Sequence, residues 1–287
     1  MINSFFKFIC KYTGFSFLQK LFVKNFYCVR NVNQLKREVR IVVSISCAEE
    51  NFDNFEYTLY SIFNQSVSPD NVVLWISNQY ELSELPYSIT KFVKNGLDIR
   101  FVDDKDSYTK IIYALKEFRD CIIVIADDNI FYPRNWLSKL YHSYITNPDD
   151  IHVHSALIAA DKKGSLCPYK EWRKHALSKS ASYKNFPVCE CGVLYPPNCF
   201  VKDVLREDIY KNKANTGWEI WSWVMSVVSG RKIRVVMNNI KHFQTTNLIN
   251  SYKKYSKLIK NSMLTDEQLR ILYEYYGKNL CHKLAEK

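Results

Sequence analysis

Between residues 39 and 126 the sequence alternates strand-like apolar runs with helix-like segments, and few folds accommodate that alternation. The runs are 39–46 (VRIVVSIS), 71–77 (NVVLWIS), 98–102 (DIRFV) and 120–126 (DCIIVIA), short and rich in β-branched residues. Between them, 55–65 sets Leu59, Ile62 and Phe63 on one side of a helix, a second helix follows Pro86, and 107–118 carries Ile111, Ile112 and Leu115 at helical spacing. Strands with no polar face must be covered on both sides, so the order βαβαβαβ predicts a mainly parallel sheet flanked by helices. Ligands of such sheets sit beyond the carboxyl ends of the strands.

Past Pro133 the alternation loosens. Segment 134–146 reads as a helix and 151–159 as a strand, followed by a loop-rich stretch with Pro168, Trp172, Pro187, Pro196 and Pro197. An aromatic helix over 218–229 ends at Gly230, and a strand follows at 232–236. The chain of 287 residues is expected to form one α/β domain over 39–287: a first half of about 39–133, a second of about 134–245, and C-terminal helices over 246–287.

Charge separates the ends from the middle. Residues 1–40 carry eight Lys or Arg against one acid, 241–287 carry nine against four, and the 200 residues between them are close to neutral. A nucleic-acid enzyme would place its positive charge along the working groove, so nucleic acid is excluded as the partner and an anionic membrane surface is expected to meet the basic ends. Within segment 1–38, Phe15, Leu18, Phe22 and Phe26 recur at helical spacing with Leu21 beside them and Lys20 and Lys24 toward the edge. This stretch reads either as a helix lying in a headgroup layer or as one packed on the protein's own core. No run is apolar for long enough to span a bilayer. The nine cysteines are scattered, and Cys189 and Cys191, with Cys199 nearby, lack the second pair that a zinc site needs, so thiols in a reducing compartment are expected.

The sharpest local signal is 122–133 (IIVIADDNIFYP), an apolar strand that ends abruptly in Asp127 and Asp128. Paired carboxylates need solvent, a counter-charge or a cation. At the open end of a sheet they read as a site for a divalent metal and a diphosphate, or as a solvated turn. His152 and His154 share one face of a strand and read as structural.

This acid segment resembles the DxD region of GT-A glycosyltransferases, of the bacterial family-2-like type, and the likeness continues in order along 39–275. It includes VVSIS and LYSIFNQSVSPDNVVLW near the start, Asp104 to Lys110 followed by YALKEF, NWLSKL after the acids, then Tyr169–Trp172, CGVLYPPN at 191–198, WEIWSWVM at 218–225 and LTDEQL near the C-terminus. The resemblance implies a GT-A fold, a nucleotide-sugar donor bound with Mn²⁺ or Mg²⁺, and transfer to a glycan or lipid-linked oligosaccharide in surface polysaccharide or lipopolysaccharide synthesis. It further implies a cytoplasmic enzyme, peripheral on the inner face of the membrane.

By the same resemblance, Asp127, Asp128 and Asn129 hold the metal, Asn129 standing where the family has a third acid and His242 standing as a further candidate ligand. Ser44, Ser46, Asp104, Lys110, Asp127, Asp128 and Gly192 meet the donor. Glu219 takes the place of the family's general base, with Trp218 replacing the acid beside it, and implies inversion of the anomeric centre. Tyr195, Trp218 and Trp221, with Trp223 nearby, are candidates to stack on sugars, although aromatics this dense also suit a core. The departures at Asn129, Cys191, Trp218 and Glu219 leave open a scaffold that binds a nucleotide-sugar or a partner enzyme without transfer. A nucleotidyltransferase shares the acid logic but would want a glycine-rich phosphate loop, which is not seen near the first strand.

Overall fold

The computed structural model describes residues 17–27, 29–103, 108–162, 165–174, 180–214, 217–247 and 262–285. Strands β1 (Ile41–Ser46), β2 (Asn71–Ser77), β3 (Leu97–Val102) and β4 (Ile122–Ile125) are parallel and lie in the order β4-β1-β2-β3. Their side chains alternate between two separate cores, as strand geometry requires. Val42, Val73, Ile123 and Ile125 join one core; Ile41, Val43, Ile45, Leu74 and Val124 join the other.

The helices divide in the same way. On one face lie α1 (Phe17–Phe26), α2 (Phe52–Ile62), the single turn α3 (Tyr87–Thr90) and, further along the chain, α5 (Trp136–Thr146). On the other lie α4 (Thr109–Glu117), α6 (Glu207–Lys213), the aromatic α7 (Trp218–Val228) and α8 (Ser262–Ala285), whose regular winding is interrupted at Gly277. The order of connection reverses about β1, because β2 and β3 extend to one side and β4 to the other. That is where a crevice forms at the carboxyl ends of such strands.

The second half departs from a simple continuation. A short β5 (Ile130–Phe131) follows the acid turn. The expected single strand over 151–159 is two strands, β6 (Ile151–Val153) and β7 (Ala156–Ile158), which enter different sheets. The break falls at His154, whose ring is committed to backbone groups on two other segments. The ribbon β8 (Asp161–Lys162) and β9 (Ser165–Leu166) follows, and β7 pairs antiparallel with β10 (Arg173–Lys174) and β11 (Asn185–Pro187). Strand β12 (Val193–Tyr195) inserts antiparallel between β4 and β6, with β13 (Ile233–Val235) parallel to β6 at the sheet's edge. The last strand, β14 (Gln244–Thr245), returns to pair with β5.

Helix α1 is oriented by its lysines. Lys20 donates to Asn54 Oδ1 (2.5 Å), Lys24 pairs with the buried Glu56 (2.7 Å), both ammoniums lie over the Tyr57 ring, and Val23 is buried. The lysines therefore face α2, while Leu21, Phe22 and Phe26 stay exposed and the two Phe rings stack at 4.9 Å. Phe15 and the residues before it lie outside the described residues, as does the side chain of Leu18. Among the described residues no helix is long and apolar enough to cross a membrane.

His152 and His154 are structural. His152 donates from Nε2 to the Asn147 carbonyl (3.0 Å) and accepts the Ser143 hydroxyl at Nδ1 (2.9 Å). His154 accepts the Ile240 N–H at Nδ1 (3.2 Å) and donates from Nε2 to the Trp136 carbonyl (3.1 Å). Each arrangement needs a neutral ring. Burial pushes both down to about 4, helped by Arg234 beside His152 and Lys139 beside His154. Unfolding restores ordinary imidazoles, so between pH 6.5 and 4 the unfolded chain binds more protons and stability falls with pH. The expected loss is of the order of 3 kcal/mol per ring by pH 4, with roughly two protons taken up on unfolding near pH 5 from this pair. Urea melts from pH 7 to 4.5 check this; a flat midpoint over that range would refute the neutral-ring assignment.

Candidate active site

After β4 the chain turns through Ala126, Asp127, Asp128 and Asn129, and each of these is tied to a different element. Asp127 is buried, and its backbone N–H donates to the Tyr132 hydroxyl (2.8 Å), which donates in turn to the Glu190 carbonyl (3.2 Å). Burial first, and the Asp127 charge second, push the Tyr132 phenol well up, so it remains a donor. The Asp127 carboxylate pairs with the ammonium of Lys110, from the first turn of α4. That ammonium also donates to the Ala126 carbonyl (3.2 Å) and lies 5.3 Å from the centre of the Trp218 ring. Only 7% of the Lys110 side chain is exposed.

Asp128 points the other way, toward the loop after β1. Its Oδ2 accepts the Ala48 N–H (3.0 Å) and the Asn51 amide (2.9 Å), and its carbonyl accepts the Thr58 hydroxyl (2.9 Å). The carbonyl of Asn129 accepts the Thr246 N–H (2.8 Å) and the Thr245 hydroxyl (3.0 Å), so the segment at β14 is fastened across the acid turn.

The other sequence candidates separate into those that reach this crevice and those that do not. Ser46 is partly exposed at the end of β1. Ser44, by contrast, is fully buried and already accepts the Trp75 indole N–H (2.8 Å) and donates to the Lys110 carbonyl (2.5 Å), which makes it a brace between β1, β2 and α4. Asp104 lies outside the described residues. Gly192 has φ +88°, and a Cβ there would lie 2.5 Å from the Trp136 ring, whose Nε1 donates to the Cys191 carbonyl (2.8 Å). Its visible task is this close approach. Tyr195, Trp221 and Trp223 are core residues with no ring face open to a sugar; Trp221 donates to the Val204 carbonyl and Trp223 to that of Tyr183, each at 3.0 Å. Trp218 is buried as well and meets Lys110.

Glu219 occupies the first turn of α7 and is partly exposed, where the helix dipole favours its charge. Burial first and the Glu219 carboxylate next push the Tyr169 phenol up to about 12, with Cys189 and Glu190 adding to it. Two carboxylates, Glu219 and Glu190, thus act on one half-buried tyrosine. Through Lys110 and Trp218, the acid turn and the start of α7 belong to one continuous site.

Sequence reasoning missed Glu190, Tyr132, Asn51, Thr58 and the Thr245–Thr246 strap. Glu190 had a signal, an acid inside an otherwise apolar C-x-C-Gly turn. The others are ordinary polar residues whose partners lie 70 or more positions away, apart from Tyr132.

A divalent ion wants several hard oxygen ligands converging on one point. Among the described residues no three His, Cys, Asp or Glu groups are so arranged. Asp127 faces an ammonium, Asp128 Oδ2 faces two N–H donors, and His242 is exposed. Among the described residues Asp127, Asp128 and His242 do not converge as one set of ligands. The cysteines form no disulfide and no zinc cluster among the described residues, and burial pushes the Cys199 thiol up to about 12.

No family model matches the chain, and no curated protein is similar to it in sequence. Among solved structures it is similar to the mannosyltransferase PcManGT from Pyrobaculum calidifontis in complex with GDP-Man and Mn²⁺, with a TM-score of 0.51 and 12% identity over 93% of this chain and 74% of that one. It also matches TarS 1–349 of S. aureus, with a TM-score of 0.47 and 13% identity over 83% of this chain and 70% of that one. A third match is 4-diphosphocytidyl-2C-methyl-D-erythritol synthase, with a TM-score of 0.45 and 14% identity over 77% of this chain and 98% of that one. The mixed, mainly parallel seven-stranded sheet with helices on both faces is a GT-A-type α/β fold, as in the mannosyltransferase PcManGT.

Proposed function

We propose that the chain is a glycosyltransferase that moves a sugar from a nucleotide-sugar donor to a hydroxyl of a glycan or lipid-linked oligosaccharide, in surface polysaccharide or lipopolysaccharide synthesis. The observation that carries this reading is the joining of an acid turn, at the carboxyl ends of β1 and β4, to a partly exposed carboxylate on α7. The donor is assigned to the half over about 39–133 and the acceptor to that over about 134–245. Ser46 and the loop after β1 line the nucleotide's entrance.

Transfer joins the acceptor oxygen to the anomeric carbon as the bond from that carbon to the diphosphate breaks. Glu219 takes the acceptor's proton and later returns it to solvent, and a base opposite the leaving group gives inversion. The divalent cation implied by the family resemblance finds no converged set in Asp127, Asp128 and His242, and this reading does not depend on one.

Calorimetric titration with UDP-, GDP- and CMP-linked sugars tests the reading. One donor is expected to bind, with affinity falling at least tenfold in Asp128→Ala, which frees the Ala48 and Asn51 donors and loosens the loop. Folded protein that binds no member of the panel would favour the scaffold without transfer, a reading supported by Asn129 and by the engagement of Asp127 with Lys110.

We place the enzyme in the cytoplasm at the inner face of the membrane, with α1 as the contact. Since Lys20 and Lys24 are engaged by α2, the apolar residues Leu21, Phe22 and Phe26 carry the contact and the basic ends add attraction to anionic lipid. Burying two Phe side chains contributes about 3 kcal/mol or more. Partition of Phe22→Ser/Phe26→Ser protein into vesicles with anionic lipid should therefore weaken about a hundredfold; unchanged cosedimentation would rule this surface out.

A further inference from the structure

A pair of carboxylates at a sheet's mouth repels a diphosphate unless something positive intervenes. In this chain the positive group is built in. The Lys110 ammonium carries three N–H donors. It meets the Asp127 carboxylate and the Ala126 carbonyl, and it lies against the Trp218 ring face. It is also held from behind, because its backbone carbonyl accepts the buried Ser44 hydroxyl, which is itself fixed by the Trp75 indole.

Elsewhere in the turn the charge is low. Asn129 is neutral, and Asp128 is turned toward two N–H donors of the loop after β1. Two carboxylates and one ammonium leave a net charge of −1 on the turn. A metal ligand set at the same place would need Asp127 to release its ammonium and Asn129 to replace a charged oxygen with a weaker amide one.

We propose that Lys110 is the resident cation of this site: it takes the place of a divalent ion at Asp127, halving the negative charge that a diphosphate meets at the crevice and leaving no metal on that carboxylate. Lys110 is a positioning residue, acting through Asp127 and through Trp218 at the start of α7. The proposal rests on reading the crevice as a diphosphate site for its consequence, while the placement of the cation stands on the ion pair alone.

Mn²⁺ alone is the probe, titrated by electron paramagnetic resonance into the full chain, with thermal melts alongside. Wild type and Asp127→Asn are expected to bind Mn²⁺ alike, within twofold, because Asp127 is no ligand in either. Lys110→Met should raise Mn²⁺ affinity at least tenfold by exposing Asp127 to the ion, and Lys110→Met/Asp127→Asn should erase that gain. Lys110→Arg, which keeps the charge, should behave as wild type.

A tenfold loss of Mn²⁺ affinity in Asp127→Asn would overturn the proposal, as would a folded Lys110→Met that gains none. Should Lys110→Met fail to melt cooperatively, the Asp127→Asn comparison decides alone. Since no nucleotide enters the experiment, failure to bind any nucleotide-sugar would defeat the transferase reading and leave this result standing.

Discussion

Gly192→Ala is expected to cost about 4 kcal/mol of stability. Two penalties coincide at this position. The backbone has φ +88°, a conformation that side-chain-bearing residues adopt only with strain, and the new Cβ would lie 2.5 Å from the Trp136 ring. The ring has little room to retreat, because it is fully buried, donates to the Cys191 carbonyl and packs on Tyr132 at 4.2 Å between centroids. Gly230 supplies the control. It has φ +73°, but its nearest neighbour would be the flexible end of Lys283 at 3.3 Å, so Gly230→Ala carries the strain and little of the collision. It should cost about 1–2 kcal/mol. Urea melts of the two variants separate the terms; equal losses would mean that the approach to Trp136 contributes nothing. Since Gly192 opens β12, beside the acid turn, the damage should extend to donor binding.

The parallel half of the fold was legible because strands covered on both faces cannot hide their composition. The runs at 39–46, 71–77, 98–102 and 120–126 correspond to β1, β2, β3 and β4 with small shifts at their ends. Strand β12 was illegible for a physical reason: three residues, bounded by a left-handed glycine and by Pro196 and Pro197, carry no periodicity, and only their position between β4 and β6 makes them a strand. The break between β6 and β7 was equally hidden, because the apolar pattern runs through it while His154 binds groups that are distant in sequence.

At the site, the acid pair was legible as charge that needed a partner, but the partner was not. Lys110 sits beside apolar Ile111 and Ile112 in a helix whose register alone leaves it at a boundary, and burial next to Asp127 follows from tertiary contact. Ser44 failed as a donor contact because a strand-end serine looks the same whether it faces a ligand or the indole of a neighbouring strand. Tyr195, Trp221 and Trp223 were ambiguous between sugar platform and core, and their burial settles the matter for core.

Glu219→Gln is expected to lower the rate of sugar transfer by about a hundredfold to ten-thousandfold while changing donor affinity less than twofold. Gln keeps the length and shape of the side chain and removes the proton acceptor. Structural support for the first turn of α7 should survive, since the Ser222 hydroxyl donates to the backbone carbonyl of residue 219 and not to its side chain (3.1 Å). Glu190 is the sharpest rival, because both carboxylates act on the Tyr169 phenol from the same region and both are partly exposed. Position decides between them. Glu219 adjoins Trp218, which contacts the Lys110 that holds Asp127, so its carboxylate is linked to the acid turn through side chains. Glu190 is tied to that turn by its backbone carbonyl, through Tyr132. Single-turnover assays on Glu219→Gln and Glu190→Gln, with the donor held saturating, distinguish the two. Loss confined to Glu219→Gln identifies the base, whereas loss confined to Glu190→Gln moves that role to the C-x-C turn, with Glu219 left as a dipole-stabilised helix acid.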